Sequence, residues 1–390
     1  MKTKVTRNKK NNKTRKLKFI KNIMLPNLTP KDINQVSEVI FQESLTPSLT
    51  QSLTPSLTQS YSPTINKELV TLKSISREKV IDCNNEKAFE LKEPLQIGIS
   101  EKLFGKNCVP YNDPNAVKFL LKNLSANKHI NIDKIVPPIQ SQSNCWFNTM
   151  FVTLFVSDKG RKFFHFFRQL MIEGIQADGS SIPPKLRNGF ALLNYAIECC
   201  LTGNKYAYIL NTNAIINNIY TNIPQSYKDK LPYITNIDEA GNPIRYYDSL
   251  IYYLNNKSIQ VAFIQNTNDK WKDKILNQIQ NKIPHIIILE FYDKESKTTT
   301  NKQQSFVVKG NKYILDSIII RDTSQQHFSA TLTCNRKEIA YDGMSFHRVV
   351  PFNWKKYINS NFFWEFDETP ESLQWNFTHG YQMLIYYRVK

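Results

Sequence analysis

Apolar residues are sparse and scattered up to about residue 130, and dense from there to the C-terminus. Within the dense part the period changes. Met150, Phe151, Leu154 and Phe155 fall at helical spacing, as do Phe163, Phe164, Phe166, Phe167, Leu170 and Met171. Phe190, Leu193, Tyr195, Ala196 and Ile197 repeat the pattern. Further on, the apolar runs are short. Ile283 to Tyr292 reads as a buried strand, followed at hairpin-like intervals by Ser305 to Val308, Tyr313 to Ile320, His327 to Thr333, Lys337 to Tyr341 and Tyr381 to Val389. Helices first and strands later predict a segregated α+β domain over residues 131–390, a helical lobe followed by an antiparallel sheet lobe.

The preceding chain reads differently. Residues 65–130 form an N-terminal extension to which the pattern assigns no role. Asp113 and Pro114 there predict the cap and first position of a helix over Asn115 to Leu124. Residues 44–60 repeat the four-residue unit Ser-Leu-Thr-Pro or Ser-Leu-Thr-Gln four times. Pro47 and Pro55 forbid a continuous helix, and one small apolar residue per unit builds no core, so residues 1–64 read as a disordered arm and linker.

Charge sharpens this division. The chain has 51 Lys and Arg against 33 Asp and Glu, a formal +18. Residues 1–21 hold ten of the basic residues and no acidic one; the other 369 residues carry 41 basic and 33 acidic, a net +8. The basic arm is a solvated tail, with a localisation signal or a contact to nucleic acid or a virion component as sharper alternatives. The rest is a mildly basic globular chain. With 12% aromatics and 41% hydrophobics it can bury a core, and no run of 18 apolar residues suggests a membrane helix. Six irregularly spaced cysteines without a CxxC pair argue against a disulfide framework or a structural zinc site. The expectation is an intracellular, reduced protein, cytoplasmic with a nuclear option, with no cofactor, no metal and no membrane contact.

The chemistry concentrates at Gln140 to Phe155. A polar loop ends at Cys145 and an apolar helix begins there, so the thiol faces the positive end of the helix dipole, which favours the nucleophilic thiolate. The bland reading is a small buried hydrophobe. A thiolate needs a proton acceptor and the acceptor an orienter. Of the six histidines, His327 opens a strand whose turn at Asn335-Arg336-Lys337 returns the chain toward Asp342. That geometry brings an acid beside the imidazole, the third member of a triad. Asp316 and Asp322 precede His327 and lack it. His347 is the runner-up histidine.

These residues resemble the Cys and His boxes of the ubiquitin-specific proteases, which are papain-like deubiquitinases. The Cys-box pattern is Asn-x-Gly-Asn-Thr-Cys-Tyr-x-Asn-Ser, in which Cys145 falls on the nucleophile, Trp146 on the aromatic, Asn148 on the Asn and Thr149 on the Ser. Gln326-His327-Phe328 and Tyr341-Asp342 fall on the Gly-His-Tyr, strand, aromatic-Asp pattern of the His box. Pro284 to Phe291 and Gly380 to Arg388 are similar to two of the family's strands, in the family's order. Gln142 and Ser143 stand where the family has Gly-Asn, Gln326 where it has Gly, and Gly343 where it often has a second polar residue. The zinc-ribbon cysteines are absent. These departures point to a divergent branch, a viral one included.

The resemblance implies a Cys-His-Asp thiol protease acting at the C-terminus of ubiquitin or a ubiquitin-like protein, with Cys145 as nucleophile, His327 as general base and acid, and Asp342 orienting it. The family's oxyanion amide, five residues before the nucleophile, falls on Gln140, with Gln142 as the alternative. Glu290, Asp293 and Asp367 are acids of the right sign for a basic substrate tail. Two other readings stay open. One is a papain-like protease processing another, viral precursor, protein. The other is an inactive binding module with a nucleic-acid-binding arm.

Overall fold

The computed structural model describes residues 81–101, 105–126, 130–239, 241–254, 259–267, 270–280, 283–291, 300–322, 327–345, 347–366 and 373–389. The basic arm and the four-residue repeats lie outside the described residues. The remaining chain is an α+β molecule with a helical lobe followed by a sheet lobe.

The helical lobe is built around α3 (Cys145–Phe155), in which every residue from Trp146 to Phe155 is buried. Its side chains are apolar on nearly all sides, which is why it sits centrally and not on the surface. Around it pack α4 (Asp158–Phe163), α5 (His165–Glu173), α6 (Pro184–Thr202) and α9 (Pro243–Tyr253). Phe147 and Trp146 meet Tyr246 edge-on, and Phe155 meets Phe164 and Tyr247 in the same way. A buried ion pair joins α5 to α6: Arg168 Nη2 donates to Glu198 Oε2 at 3.0 Å, and its Nε donates to Asn194 Oδ1 at 2.9 Å. Two further helices, α7 (Thr212–Asn222) and the short α8 (Gln225–Lys230), precede α9. The apolar pattern did not announce α7 or α8. Their sequences are rich in Asn, Thr and Lys, and α7 buries only a narrow stripe containing Ile215, Ile216 and Ile219.

The sheet lobe contains β3 (Val261–Thr267), β4 (Ile286–Phe291), β5 (Ser305–Val308), β6 (Asn311–Arg321), β7 (Phe328–Cys334), β8 (Lys337–Tyr341), β9 (Val349–Pro351) and β12 (Gln382–Arg388). Their order is β3-β4-β12-β6-β7-β8-β9, with β5 also on β6. All pairs are antiparallel except β3–β4 at one edge, where α10 (Trp271–Ile279) makes the crossover that a parallel pair requires. A second, two-stranded sheet pairs β10 (Phe363–Trp364) with β11 (Trp375–Asn376).

Both faces of the main sheet are covered. Met383, Ile385 and Tyr387 of β12 join the core of the helical lobe, while Leu384 and Tyr386 face a second core containing Trp271, Trp354, Trp364 and Trp375. Double burial explains why these strands read as continuous apolar runs without alternation. The β7–β8 turn contains two residues, Asn335 and Arg336, both with positive φ (48° and 59°), and Lys337 already belongs to β8. The Asp158 carboxylate accepts both turn amides, at 2.8 and 2.9 Å. A left-handed turn without glycine is thereby held from across the lobe.

The segment before α3 packs into the same core. It contains α1 (Glu86–Phe89), the hairpin β1 (Gln96–Glu101) and β2 (Gly105–Pro110), and α2 (Pro114–Ala126). Asp113 Oδ1 accepts the Asn115 amide at 2.8 Å, as expected of that helix start. Phe89 stacks on Tyr206 at 5.2 Å, and Tyr206 donates to Asp82, which also pairs with Lys205. The expectation of uniformly reduced cysteines does not hold. Cys83 and Cys108, 25 residues apart, form a disulfide. The pairing was hidden because an isolated bridge between Ile81 and Gly98 is what lays the incoming chain beside the β1–β2 hairpin. Cys145, Cys199, Cys200 and Cys334 keep their thiols. Alkylation of the unfolded, non-reduced chain therefore modifies four cysteines and, after reduction, all six. Reduction is expected to remove about 3 kcal/mol of stability, read as a fall in Tm of several degrees. Six modified cysteines without reductant would contradict the pairing.

Candidate active site

Three segments meet at the junction of the lobes. The first is the loop 139–144 ahead of α3, the second is the start of β7, and the third is the turn after β8.

Cys145 is the first residue of α3, partly exposed, with its backbone N–H among those that a helix start leaves unpaired. His327 immediately precedes β7 and is only 6% exposed. Asp342 immediately follows β8 and is fully buried. Ala330 faces Tyr341 in the β7–β8 register, so the hairpin carries Asp342 back toward His327. His327 Nε2 and Asp342 Oδ1 lie 2.6 Å apart. The Cys145 sulfur is near enough to the same imidazole to influence its ionisation. Asp342 occupies Nε2, which leaves Nδ1 as the ring nitrogen available to the sulfur. Burial of the ring works against its positive charge. The Asp342 carboxylate, followed by the Cys145 sulfur, outweighs that, and the imidazole pKa is raised to about 9.

Further contacts fix the carboxylate. Asp342 Oδ1 also accepts the Met344 amide at 3.1 Å, and the Asp342 amide donates to Arg348 O at 3.0 Å. His327 is held at its backbone. Asp322 Oδ1 accepts the His327 amide at 2.6 Å, and the Asp322 amide donates to His327 O at 2.8 Å. Asp322 thus grips the His327 backbone at both its amide and its carbonyl. Asp316, the other competing acid, is buried elsewhere, beside Ser157 and Lys159, and burial raises its pKa to about 6. Trp375 of β11 shelters the imidazole, with ring centroids 5.9 Å apart. Neither Asp322 nor Trp375 carried a sequence signal: one is a single acid before a loop, the other lies nearly fifty residues downstream.

Gln140 sits beside Asp342 through main-chain pairing. The Gln140 amide donates to Gly343 O at 2.9 Å, Tyr341 Oη donates to Pro138 O at 2.7 Å, and Arg348 Nη1 donates to Pro137 O at 2.6 Å. A Cβ at Gly343 would stand 3.0 Å from the Gln140 nitrogen and 3.1 Å from its Cβ. Glycine at 343 therefore permits this close approach. The Gln140 Oε1 is buried without a hydrogen-bond partner among the described residues, whereas Gln142 is exposed and its Oε1 accepts from Asn213. Within α3, Thr149 Oγ1 donates to Cys145 O at 2.9 Å, and Asn148 Nδ2 donates to Ile139 O at 3.2 Å. Trp146 packs under Gly241, where a Cβ would fall 2.2 Å from the indole.

The other histidines and acids are placed elsewhere. His347 is exposed. His285 is half-buried at the edge of β4 and accepts the Gln260 amide on Nδ1, and its burial lowers its pKa to about 4. Glu290 is buried and accepts from Tyr381 Oη at 2.6 Å. Asp293, Asp367, His129 and Gln326 lie outside the described residues. Among the described residues, no group of three or more His, Cys, Asp and Glu side chains is placed to hold a metal, and no helix is long and apolar enough to cross a membrane.

No family model matches the chain, and no curated protein matches it. Solved structures of similar shape include a SAGA Ubp8/Sgf11/Sus1/Sgf73 DUB module, at 10% identity and TM-score 0.36, covering 67% of this chain and 70% of that one. A SAGA DUB module bound to monoubiquitin is another, at 9% identity and TM-score 0.39, covering 66% and 69%. An essential yeast splicing factor is a third, at 9% identity and TM-score 0.37, covering 75% and 83%. At such identities and TM-scores these likenesses decide neither activity nor substrate.

Proposed function

We propose that the chain is a papain-like cysteine protease that hydrolyses peptide or isopeptide bonds at the C-terminus of ubiquitin or a ubiquitin-like protein. The observation that carries the chemistry is the buried imidazole of His327, held by Asp342 on Nε2 and close enough to the Cys145 sulfur to feel its charge. The ubiquitin part rests on the Cys-box and His-box resemblance.

In this mechanism His327 holds the proton given up by Cys145, and Asp342 stabilises the resulting imidazolium beside the thiolate. The thiolate attacks the scissile carbonyl. The tetrahedral oxyanion meets the Gln140 side-chain amide and the Cys145 backbone N–H. The amine leaves with the proton returned by His327, and water activated by the same imidazole hydrolyses the thioester.

The test is turnover of ubiquitin-7-amino-4-methylcoumarin by the wild-type chain, with labelling of Cys145 by ubiquitin vinyl sulfone. Release of the fluorophore with labelling is the expected result. Folded protein that does neither removes the reading, and cleavage of an unrelated precursor peptide in its place supports the general-protease alternative.

The raised His327 pKa also sets a pH dependence. The working acid is the imidazolium, so activity is expected to fall as pH rises through about 9. The stability link has the same sign. Folding raises this pKa above its ordinary 6.5, so the stabilisation is full below 6.5 and lost as pH rises through about 9. An alkaline limb centred near 7 would contradict the coupling to Asp342.

A further inference from the structure

The loop 139–144 has to hold Gln140 and the Cys145 N–H in one geometry, yet Ile139, Ser141, Gln142 and Ser143 are exposed. Its anchoring comes largely from the first turn of α7. Asn144 Nδ2 donates to Thr212 Oγ1 at 2.8 Å, and Thr212 Oγ1 donates onward to Asn148 Oδ1 at 2.7 Å. Asn148 Nδ2 in turn donates to Ile139 O. One hydroxyl thus ties together the two ends of the loop and the second turn of the nucleophile's helix. The neighbouring Asn213 holds the middle: its Nδ2 lies 3.0 Å from Ser141 Oγ and 3.2 Å from Gln142 Oε1. Thr212, Asn144 and Asn148 are at most 1% exposed, and Asn213 is 6% exposed. Water does not substitute cheaply in so dry a network, and each member that loses its partner leaves another unpaired.

We infer that Thr212 and Asn213 are positioning residues that fix the 139–144 loop so that the Gln140 amide and the Cys145 N–H converge on one oxyanion. The inference rests on the proposed acyl-transfer reading of the site. Neither residue touches the reacting atoms; they act through the loop. Loss of the Thr212 hydroxyl therefore impairs stabilisation of the tetrahedral intermediate and spares the Cys145–His327 pair.

The test compares Thr212→Val, which keeps the shape and removes the hydroxyl, with Thr212→Ser, which keeps the hydroxyl. Two rates are measured: turnover of ubiquitin-7-amino-4-methylcoumarin, which passes through an oxyanion, and alkylation of Cys145 by iodoacetamide, which does not. Thr212→Val is expected to lower kcat about 10- to 100-fold, somewhat less than removal of an oxyanion donor itself. Alkylation should stay within about twofold, and Thr212→Ser should recover most of the turnover. Parallel losses in both rates would mean a disturbed nucleophile or fold and would overturn the inference, as would unchanged turnover. Amide hydrogen exchange over residues 139–144 decides the anchoring without a substrate. It should quicken at least about tenfold in Thr212→Val while β7 is unaffected, and equal exchange in the two proteins overturns the inference. If the wild type turns over no ubiquitin substrate, the functional reading fails on its own, and the exchange result still judges the anchoring.

Discussion

Cys145→Ala is expected to lower turnover of ubiquitin-7-amino-4-methylcoumarin on the order of 10⁴-fold or more, because no other thiol can replace it. Among the cysteines outside the disulfide, Cys199, Cys200 and Cys334 are buried, and only Cys145 is partly exposed and opens a helix beside an imidazole. Burial raises the thiol pKa of Cys334 to about 12 and raises that of Cys200 as well, so both are inert at neutral pH. The substitution removes one sulfur from a partly open position, so stability is expected to change by no more than about 1 kcal/mol. It also removes one of the influences that hold the His327 pKa up, so the imidazole titrates lower in the variant. The measurement is turnover beside a thermal melt. Retained turnover with an unchanged melt would place the chemistry elsewhere.

Asp342→Asn is the second large effect. Asparagine fits the volume and its Oδ1 can still accept from Nε2, but it carries no charge to stabilise the imidazolium. The lost charge is expected to lower kcat, by no more than the roughly 10⁴-fold cost of the corresponding change in a serine-protease triad. The His327 pKa should fall from about 9, since its largest charge-favouring partner is gone, and the alkaline limb of the activity should move to lower pH. The carboxylate is fully buried against the imidazolium, so the variant also loses stability, more at pH below about 9 than above it. A pH–activity profile of the variant, with thermal melts at the same pH values, checks both signs. A limb that stays near 9 would show that Asp342 does not govern the imidazole.

The division of labour between sequence and structure can be followed residue by residue. The late strands were legible because each is a short apolar run between turn residues, and Ser305–Val308 and Lys337–Tyr341 are observed with the bounds their pattern predicts. The edge strand β3 was not legible. It is only half-buried along much of its length and pairs in parallel with β4 through α10, whose buried stripe is only Trp271, Ile275 and Ile279. The β7–β8 hairpin was readable as a return of the chain. Its two-residue turn, with both residues left-handed and held by Asp158, was not, because Asn335-Arg336 carries no glycine.

The residue types and order of the site belong to the sequence alone: a cysteine where a polar loop meets an apolar helix, a histidine opening a strand, and an acid at the end of its return. Local spacing determines these, since helix and strand periodicity act over a few residues. The tertiary structure decided what spacing cannot reach. Asp322 clamps the His327 backbone, Trp375 covers its ring, Gly343 admits Gln140, and Thr212 with Asn213 anchors the loop 139–144 from a helix whose polar sequence stood out in no way. Apart from Asp322, which lies five residues before His327, each of these is a contact between segments far apart in the chain. Its partner is chosen by how the two lobes pack, and no window of neighbouring residues records that choice.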